Sequence, residues 1–131
     1  DLDHFKKVND VHGHLAGDRV LAGFSAVVKE CLTSEMVGGR LGGEEFMVFS
    51  QVTNHDDFLA LAEKIRSELQ ATALPIDEGK SLNLTVSIGL AAQTPEMRAT
   101  AELLRIADQA LYDAKAKGRN RVGDAANPPP A

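Results

Sequence analysis

Two short acidic segments are the part of this sequence whose chemistry can be read most directly. Near the middle of the chain, Glu44 and Glu45 directly follow a double glycine at residues 42–43. At the start of the chain, Asp1 and Asp3 alternate as side chains on one face of a strand do. Glycines leave room for phosphate to approach the backbone, and Mg²⁺ prefers hard oxygen ligands such as carboxylates. Two such segments side by side would therefore suit a metal ion bound to a nucleoside triphosphate.

Motifs in a fixed order make these segments more specific than a glycine-rich acidic turn alone. They are D-L-D-H-F-K-x-x-N-D from residue 1, G-H-x-x-G-D from 13, G-G-E-E-F from 42, V-S-I-G from 86 and A-K-x-x-G-R-N from 114. In this order and spacing the sequence resembles the GGDEF family, the diguanylate cyclases of bacterial signalling, in its GGEEF form. The resemblance runs from residue 1 to about residue 122, nearly the whole chain.

The resemblance implies an enzyme that condenses two GTP molecules into cyclic di-GMP and releases pyrophosphate, with Mg²⁺ or alternatively Mn²⁺ as cofactor. Because one domain holds one GTP, it also implies a homodimer during catalysis, at least a transient one. An upstream sensor or regulatory domain is expected as well. One alternative is a catalytically inactive GTP-binding regulatory module. Another is a palm-type domain that makes a different nucleotide product, which base preference would distinguish.

The resemblance assigns the metal to Asp1, the carbonyl oxygen of Leu2, and Glu44. It makes Glu45 a further metal ligand or a base for the 3′-hydroxyl. We rank Glu45 below Glu44 because successive strand side chains point to opposite faces. Asp3 either supports the site electrostatically or is a solvated strand residue. Taken alone, carboxylates at a strand end and a turn are more often solvated than catalytic.

By the same resemblance, Asn9 and Asp18 read the guanine base. A carboxylate can accept from guanine N1–H and N2–H₂ together, whereas adenine presents an acceptor and would leave Asp18 unpaired. The simpler alternatives are a helix cap for Asp18 and a turn residue for Asn9. His14 either lines the nucleotide pocket or is a hydrogen-bonded structural histidine. A zinc site with His12 is rejected, because there is neither a third histidine nor a cysteine nearby.

The phosphate-binding positions implied by the resemblance come from three parts of the chain. They are His4 and Phe5 through their backbone amides, Gly42 and Gly43, and the cations Lys115 and Arg119. Spacing alone favours a simpler role for the two cations, because Lys and Arg also suit a helix C-terminus. There is no G-x-x-x-x-G-K-[ST] motif that would indicate a different phosphate site.

The sequence departs from the family pattern at several positions. Residues 33–36 replace the R-x-x-D that binds the product in many members, so the usual product-feedback site should be absent. Gly38 and Gly39 predict a bulged or weak strand. The family's usual N-terminal helix and D-x-L-T-G-L-x-N-R-R stretch are absent from the printed sequence. If the molecule begins at Asp1, we expect an α-amino group with a pKa of about 7.7–8.0 that is mostly cationic and repels Mg²⁺. We also expect Asp1 to fray, so that the chain folds but has little activity.

Composition bounds the fold and the location. The 131 residues, 44% of them apolar, are enough for one domain with a core. A net charge of −5 gives no reason to expect nucleic-acid or direct membrane binding. The single cysteine, Cys31, rules out an internal disulfide and suits a reducing, cytoplasmic location, which includes the cytoplasmic domain of a membrane-anchored sensor.

The elements that must position these residues follow from periodicity and turn residues. In the first half we predict a strand end at 1–5, a helical turn and loop at 6–17, and a helix from an Asp18 N-cap to Leu32. Hairpin strands at 36–41 and 45–52, joined by Gly42-Gly43, and a helix at 56–70 follow. The last elements are a strand at 82–92, a helix at 99–117 stopped by Gly118, and a final strand at Val122. Strands and helices mix without strict alternation, which favours an α+β fold with an antiparallel central sheet flanked by helices. The resemblance sharpens this to the palm-like nucleotidyl cyclase fold. Residues 1–124 form the catalytic domain, and residues 125–131 a Pro/Ala-rich tail or linker.

Overall fold

Residues 1–51 and 54–126 are described by the structure, a computed structural model. Within these residues the chain forms four helices and six strands. In order they are α1 (Phe5–His12), α2 (His14–Cys31), β1 (Met36–Gly42), β2 (Glu45–Ser50), α3 (His55–Ala71), β3 (Leu74–Asp77), β4 (Lys80–Leu82), β5 (Ile88–Leu90), α4 (Thr100–Ala116) and β6 (Val122–Asp124). The predicted α+β class is confirmed. The strands form three two-stranded ladders, β1–β2 and β3–β4 antiparallel and β5–β6 parallel.

The first helical region differs from the prediction. Helix α1 fills most of the segment that the sequence predicted as a turn and loop, and α2 already begins at His14. Gly13 separates the two helices with a φ of 90°, a conformation that glycine adopts without steric cost. Asp18 is the fifth residue of α2 and not its N-cap, so the capping interpretation is wrong. The nearby glycine that suggested a loop, Gly17, is buried inside the helix.

Helix α2 provides the largest part of the core. Its buried apolar residues recur at helical spacing, with Val20 and Phe24 almost fully enclosed. Phe24 meets Phe46 of β2 edge to face, with ring centroids 4.7 Å apart, and this contact joins the helix to the hairpin. Ile65 and Leu69 of α3 complete the same cluster.

The hairpin of β1 and β2 is confirmed, but its turn is shifted by one residue. Gly42 pairs with Glu45, so Gly43 and Glu44 are the two residues of the turn. The ladder shifts register between Arg40 and Gly42, so β1 is irregular as predicted, but the irregularity lies beyond residues 38–39, which pair in regular register. Glu44 is therefore presented at the tip of a hairpin and not along a strand.

The strand predicted over 82–92 is divided among three partners. Leu82 ends β4, which turns back on β3, a hairpin that the sequence analysis missed. Residues 85–87 pair with the start of the chain, where Leu2 bridges Val86, and β5 then pairs with β6. The strand end predicted at residues 1–5 is thus reduced to this short pairing, because α1 begins at residue 5. The first residues of the chain and the segment after α4 consequently lie on either side of residues 85–90.

The remaining predictions concern α3, α4 and the end of the chain. Both helices begin and end within one residue of the predicted ranges, and Gly118 follows the C-cap of α4 as predicted. Strand β6 ends at Asp124, and the next residue, Ala125, still donates to the Leu90 carbonyl oxygen at 3.0 Å. Residue 52 and the tail from residue 127 lie outside the described residues, so the tail stays a prediction. Of the helices in the described part of the chain, none has the length and apolar character of a transmembrane span.

Candidate active site

An open cleft of about 420 Å³ lies where the start of the chain, the first turn of α1, the β1–β2 turn and the end of α4 meet. Six of its ten lining residues were predicted as site residues. These are Leu2, His4, Phe5, Glu44, Lys115 and Arg119, and the lining is completed by Asp3, Lys6, Lys7 and Asp10. The cleft thus joins three motifs that are far apart in sequence.

Asp1 and Lys115 form an ion pair at this cleft. The Asp1 side chain is 8% exposed, and its Oδ2 accepts a hydrogen bond from Lys115 Nζ at 2.6 Å. A short charge-assisted bond of this kind is stronger than a neutral one. The predicted metal ligand and the predicted phosphate-binding cation are therefore in direct contact.

The backbone of Asp1 is held, contrary to the expectation that it frays. Its α-amino group donates to the Ser87 carbonyl oxygen at 3.0 Å, and its own carbonyl accepts from Ser87 N–H at 3.1 Å. Burial, together with the charge of Lys115, lowers the pKa of this amino group from its ordinary 8.0 to about 6. In a chain that begins at Asp1 the group is therefore mostly neutral at pH 7, and the expectation of a mostly cationic group is wrong. The structure thus supports neither reason for expecting little activity, and the level of activity stays a prediction.

The hairpin turn brings the two glutamates toward Asp1. Glu44 is half-buried and lines the cleft, while Glu45 is the exposed first residue of β2. The negative charges of both act to raise the pKa of the Asp1 amino group, against the larger lowering by burial and Lys115. Gly43 has a left-handed φ of 53°, and its carbonyl accepts from Arg40 Nε at 2.9 Å.

The backbone of the turn is open, as a phosphate site requires. A Cβ added at Gly42 or Gly43 would have no other atom within 4 Å. The oxygen donors available here are the carboxylates of Asp1 and Glu44 and the carbonyl of Leu2, a set that fits a hard cation such as Mg²⁺. The described residues contain no group of three or more acidic, histidine or cysteine side chains that would hold a metal by themselves. Phosphate oxygens would therefore have to complete the coordination.

Asp3 is buried, and the interpretation as a solvated strand residue is wrong. It is 2% exposed, and its carboxylate accepts from Ser87 Oγ at 2.7 Å, Thr85 Oγ1 at 2.7 Å and the Asn120 backbone N–H at 3.0 Å. Sequence reasoning missed these contacts, although Thr85 and Ser87 alternate along the strand of the V-S-I-G motif. The donors lie more than 80 residues away along the chain, so no local pattern reveals them.

The N-terminus of α1 faces the same cleft. Helix α1 starts after His4, which has a left-handed backbone with a φ of 58°, and no side chain of the described residues caps the helix. The first N–H groups of a helix have no acceptor within it, and together with the helix dipole they attract anions. Residues 5–7 line the cleft, so this end of α1 is presented to it.

The residues predicted to read guanine lie at the junction of α1 and α2, outside the cleft lining. Asn9 is half-buried with its amide against Gly17, since a Cβ at Gly17 would lie 1.9 Å from Asn9 Oδ1. Asp18 is exposed and directly follows Gly17, so the structure brings the predicted pair close together. His14 is exposed, and among the described residues its ring has no hydrogen-bond partner, which contradicts the structural alternative.

Lys115 and Arg119 flank the end of α4. Lys115 lies in the last turn of the helix, and Arg119 follows Gly118 with a left-handed φ of 64°. Arg119 N–H donates to the Ala114 carbonyl oxygen at 3.0 Å, which folds the chain back against the helix end. Both cations line the cleft. Cys31 takes no part in the site: burial raises the pKa of its thiol, as expected for a core residue.

Comparison with known proteins adds the following findings. The family model described as "Diguanylate cyclase, GGDEF domain" matches residues 1–121. Diguanylate cyclase A of Treponema denticola is 38% identical over 122 residues, which are 93% of this chain and 33% of that protein. The GGDEF domain of DgcB from Caulobacter crescentus, in complex with c-di-GMP, superposes with a TM-score of 0.89 at 34% identity, covering 97% of this chain and 75% of that one. The active GGEEF domain of a diguanylate cyclase from Vibrio cholerae gives a TM-score of 0.84 at 32% identity, covering 95% and 78%. The chain spans about a third or less of the length of the curated relatives it matches.

Proposed function

Because this chain belongs to the GGDEF family of diguanylate cyclase domains, we propose that it condenses two GTP molecules into cyclic di-GMP with release of pyrophosphate. The observation that carries this proposal is the cleft itself. Glu44, Lys115, Arg119 and the first turn of α1 line it, and Asp1 contacts it through its ion pair with Lys115. This arrangement supports a site in which the proposed metal ligands and phosphate-binding groups act together.

In this proposal Asp1, Glu44 and the Leu2 carbonyl hold Mg²⁺, with Mn²⁺ as an alternative. The metal, when bound, neutralises triphosphate charge and polarises the attacking hydroxyl. Asp1 Oδ2 is at present the acceptor for Lys115 Nζ at 2.6 Å. A cation bound by Asp1 would compete with Lys115 for that oxygen, and Lys115 Nζ would then be free to pair with a phosphate oxygen. The ion pair therefore links metal binding to phosphate binding.

The triphosphate is held between two positive regions. His4 and Phe5, whose backbone N–H groups are proposed to bind phosphate, line the cleft together with Lys115 and Arg119. The open backbone at Gly42 and Gly43 leaves room for the phosphates to approach Glu44. Arginine is suited to this task because its guanidinium donates two parallel hydrogen bonds to phosphate.

Guanine is read at the junction of α1 and α2. Asp18 accepts from the N1–H and N2–H₂ groups of guanine, and Asn9 supplies an amide beside it. His14, exposed at the start of α2, lines the base side of the pocket. Adenine would leave the Asp18 carboxylate facing an acceptor, and a mismatch of this kind discriminates strongly.

The reaction needs two copies of the domain, because each cleft holds one nucleotide. We propose that two clefts face each other in a homodimer, at least transiently, so that the 3′-hydroxyl of one GTP attacks the α-phosphate of the other. Glu45 is exposed and directly follows the cleft residue Glu44. In the proposal it is a further metal ligand or the base that takes the proton of the 3′-hydroxyl. Since the curated relatives are about three or more times longer, we also propose an additional sensor or regulatory domain. The single cysteine supports a cytoplasmic location. Residues 33–36 lack the usual arginine and aspartate, so the product should not inhibit through this segment.

Glu44→Ala tests the metal assignment. Removing this carboxylate should lower cyclic di-GMP formation at least about a hundredfold, because the metal loses one of its two carboxylate ligands. The melting temperature should change little, since Glu44 lies in a turn and is not buried. Turnover is measured with GTP and Mg²⁺, and Glu102→Ala, an exposed glutamate on α4, is the matched control. Turnover of Glu44→Ala within a few-fold of the control would contradict the assignment. GTP binding without turnover in the unsubstituted chain would favour the regulatory module.

A further inference from the structure

Asp3 lies two residues from the proposed metal ligand Asp1, yet its carboxylate is engaged by the protein itself. Oδ1 accepts from Ser87 Oγ, and Oδ2 accepts from Thr85 Oγ1 and from the Asn120 backbone N–H. A buried carboxylate needs such donors, because an unpaired charge in the interior is unfavourable. Because both oxygens already accept hydrogen bonds from the protein, these contacts argue against Asp3 as a metal ligand.

The contact with Asn120 holds an unusual turn. Arg119 and Asn120 are consecutive non-glycine residues with left-handed backbones, at φ 64° and 48°. Such conformations persist only where the surroundings fix them. Three groups do so here: Asp3 accepts from the Asn120 N–H, Arg66 Nη1 donates to Asn120 Oδ1 at 3.0 Å, and the Ala114 carbonyl accepts from the Arg119 N–H.

We infer that Asp3 is a positioning residue whose hydrogen bond to the Asn120 N–H fixes the Arg119–Asn120 turn and so holds the Arg119 guanidinium at the cleft. Arg119 itself is exposed and lines the cleft, so its direction is set mainly by the backbone of this turn. The inference rests on the proposed function, in which Arg119 binds phosphate. It replaces the electrostatic role for Asp3 with a geometric one.

Paired substitutions separate the geometric role from a charge role. Asp3→Asn keeps an oxygen for the Asn120 N–H and Thr85 Oγ1 but removes the charge, and Ser87 Oγ can then accept from the new amide. Asp3→Ala removes all three side-chain hydrogen bonds. The dissociation constant for GTP with Mg²⁺, measured by calorimetry, should rise about five- to tenfold in Asp3→Ala and stay within about threefold in Asp3→Asn.

A double-mutant comparison with Arg119→Ala distinguishes the positioning role of Asp3 from a general loss of stability. If Asp3 acts through Arg119, the Asp3→Ala change should weaken binding little further in an Arg119→Ala background. Thr85→Val is the matched control, because it removes a donor to the same Asp3 oxygen without touching Asn120, and it should leave binding within about twofold.

Arg66→Met is the second route to the same turn if Asp3→Ala does not fold. It removes the hydrogen bond that Arg66, which lies outside the cleft lining, donates to Asn120 Oδ1. GTP binding should weaken about two- to threefold, and only while Arg119 is present. Additive losses for Asp3→Ala and Arg119→Ala would overturn the inference while leaving the proposed function intact. So would equal losses in Asp3→Asn and Asp3→Ala, or, where Asp3→Ala does not fold, unchanged binding in Arg66→Met. Failure of the unsubstituted chain to bind GTP would overturn the proposed function and this inference with it.

Discussion

The contact between Asp1 and Lys115 is the most informative single interaction at the residue scale. It joins a nearly buried carboxylate to a cation whose side chain is one-third exposed, across 114 positions of sequence. Each partner has a separate proposed task, the metal for Asp1 and phosphate for Lys115. Their pairing keeps a carboxylate and an ammonium beside the cleft without leaving either charge unpaired.

Lys115→Met should weaken the binding of GTP with Mg²⁺ about tenfold, because a phosphate contact is lost while the aliphatic stem is kept. Lys117→Met is the control, since Lys117 carries the same charge two residues later and is exposed outside the cleft lining. Titration calorimetry of both variants checks the expectation. Equal affinities would show that Lys115 does not touch the nucleotide.

Gly17 packs against the side chain of Asn9, one of the two residues proposed to read guanine. A methyl group there would lie 1.9 Å from Asn9 Oδ1, the far end of a flexible side chain that can turn away. Gly17→Ala should therefore leave the fold intact, with the better helix propensity of alanine offsetting the displacement, but move the Asn9 amide. We expect the preference for GTP over ATP to fall toward that of Asn9→Ala. Retention of the full preference, measured by competition between the nucleotides, would count against a base-reading role for Asn9.

At the scale of elements, close packing of α4 on β5 and β6 explains the glycine of the V-S-I-G motif. A Cβ at Gly89 would lie 2.1 Å from the Ala107 carbonyl oxygen, and one at Gly123 would lie 2.2 Å from that of Ala110. These neighbours are backbone atoms of a helix and cannot rotate away. The two glycines therefore let α4 approach the strands closely, which places Lys115 beside Asp1.

Gly89→Ala should destabilise the domain by about 1–3 kcal/mol, because α4 must move away from β5. Gly39→Ala is the matched control, since a Cβ there meets nothing within 4 Å. Chemical denaturation of the two variants provides the measurement. A Gly89→Ala chain as stable as the control would show that the packing of α4 tolerates an added methyl group.

The sequence predicted those elements whose signal is local. The apolar period of α3 and α4 and the turn residues of the first hairpin placed them within a residue or two of their observed positions. The prediction of an N-cap at Asp18 failed because Gly13 and Gly17 resemble loop residues, although Gly17 lies buried within α2 against the side chain of Asn9. The β3–β4 hairpin was missed because its strands are short and contain Pro75.

At the scale of the whole molecule, the site is built by bringing the two ends of the chain together. Asp1 reaches Lys115 and Asp3 reaches Asn120, with residues 85–87 between them. The family resemblance predicted most of the residues at this meeting point. It could not predict the burial of Asp3 or the ion pair of Asp1, because both depend on contacts between distant parts of the chain.

In the proposed reaction each domain binds one GTP at the cleft between the start of the chain, the β1–β2 turn and the end of α4, so turnover would require the encounter of two domains. The most direct measurement is chromatographic product analysis of the chain incubated with GTP and Mg²⁺ at increasing protein concentration. We predict one cyclic di-GMP for every two pyrophosphates, no product from ATP, and a rate per domain that rises with protein concentration until dimers saturate. GTP that binds but is recovered unchanged at every protein concentration, or a different nucleotide product, would contradict the assignment as a diguanylate cyclase.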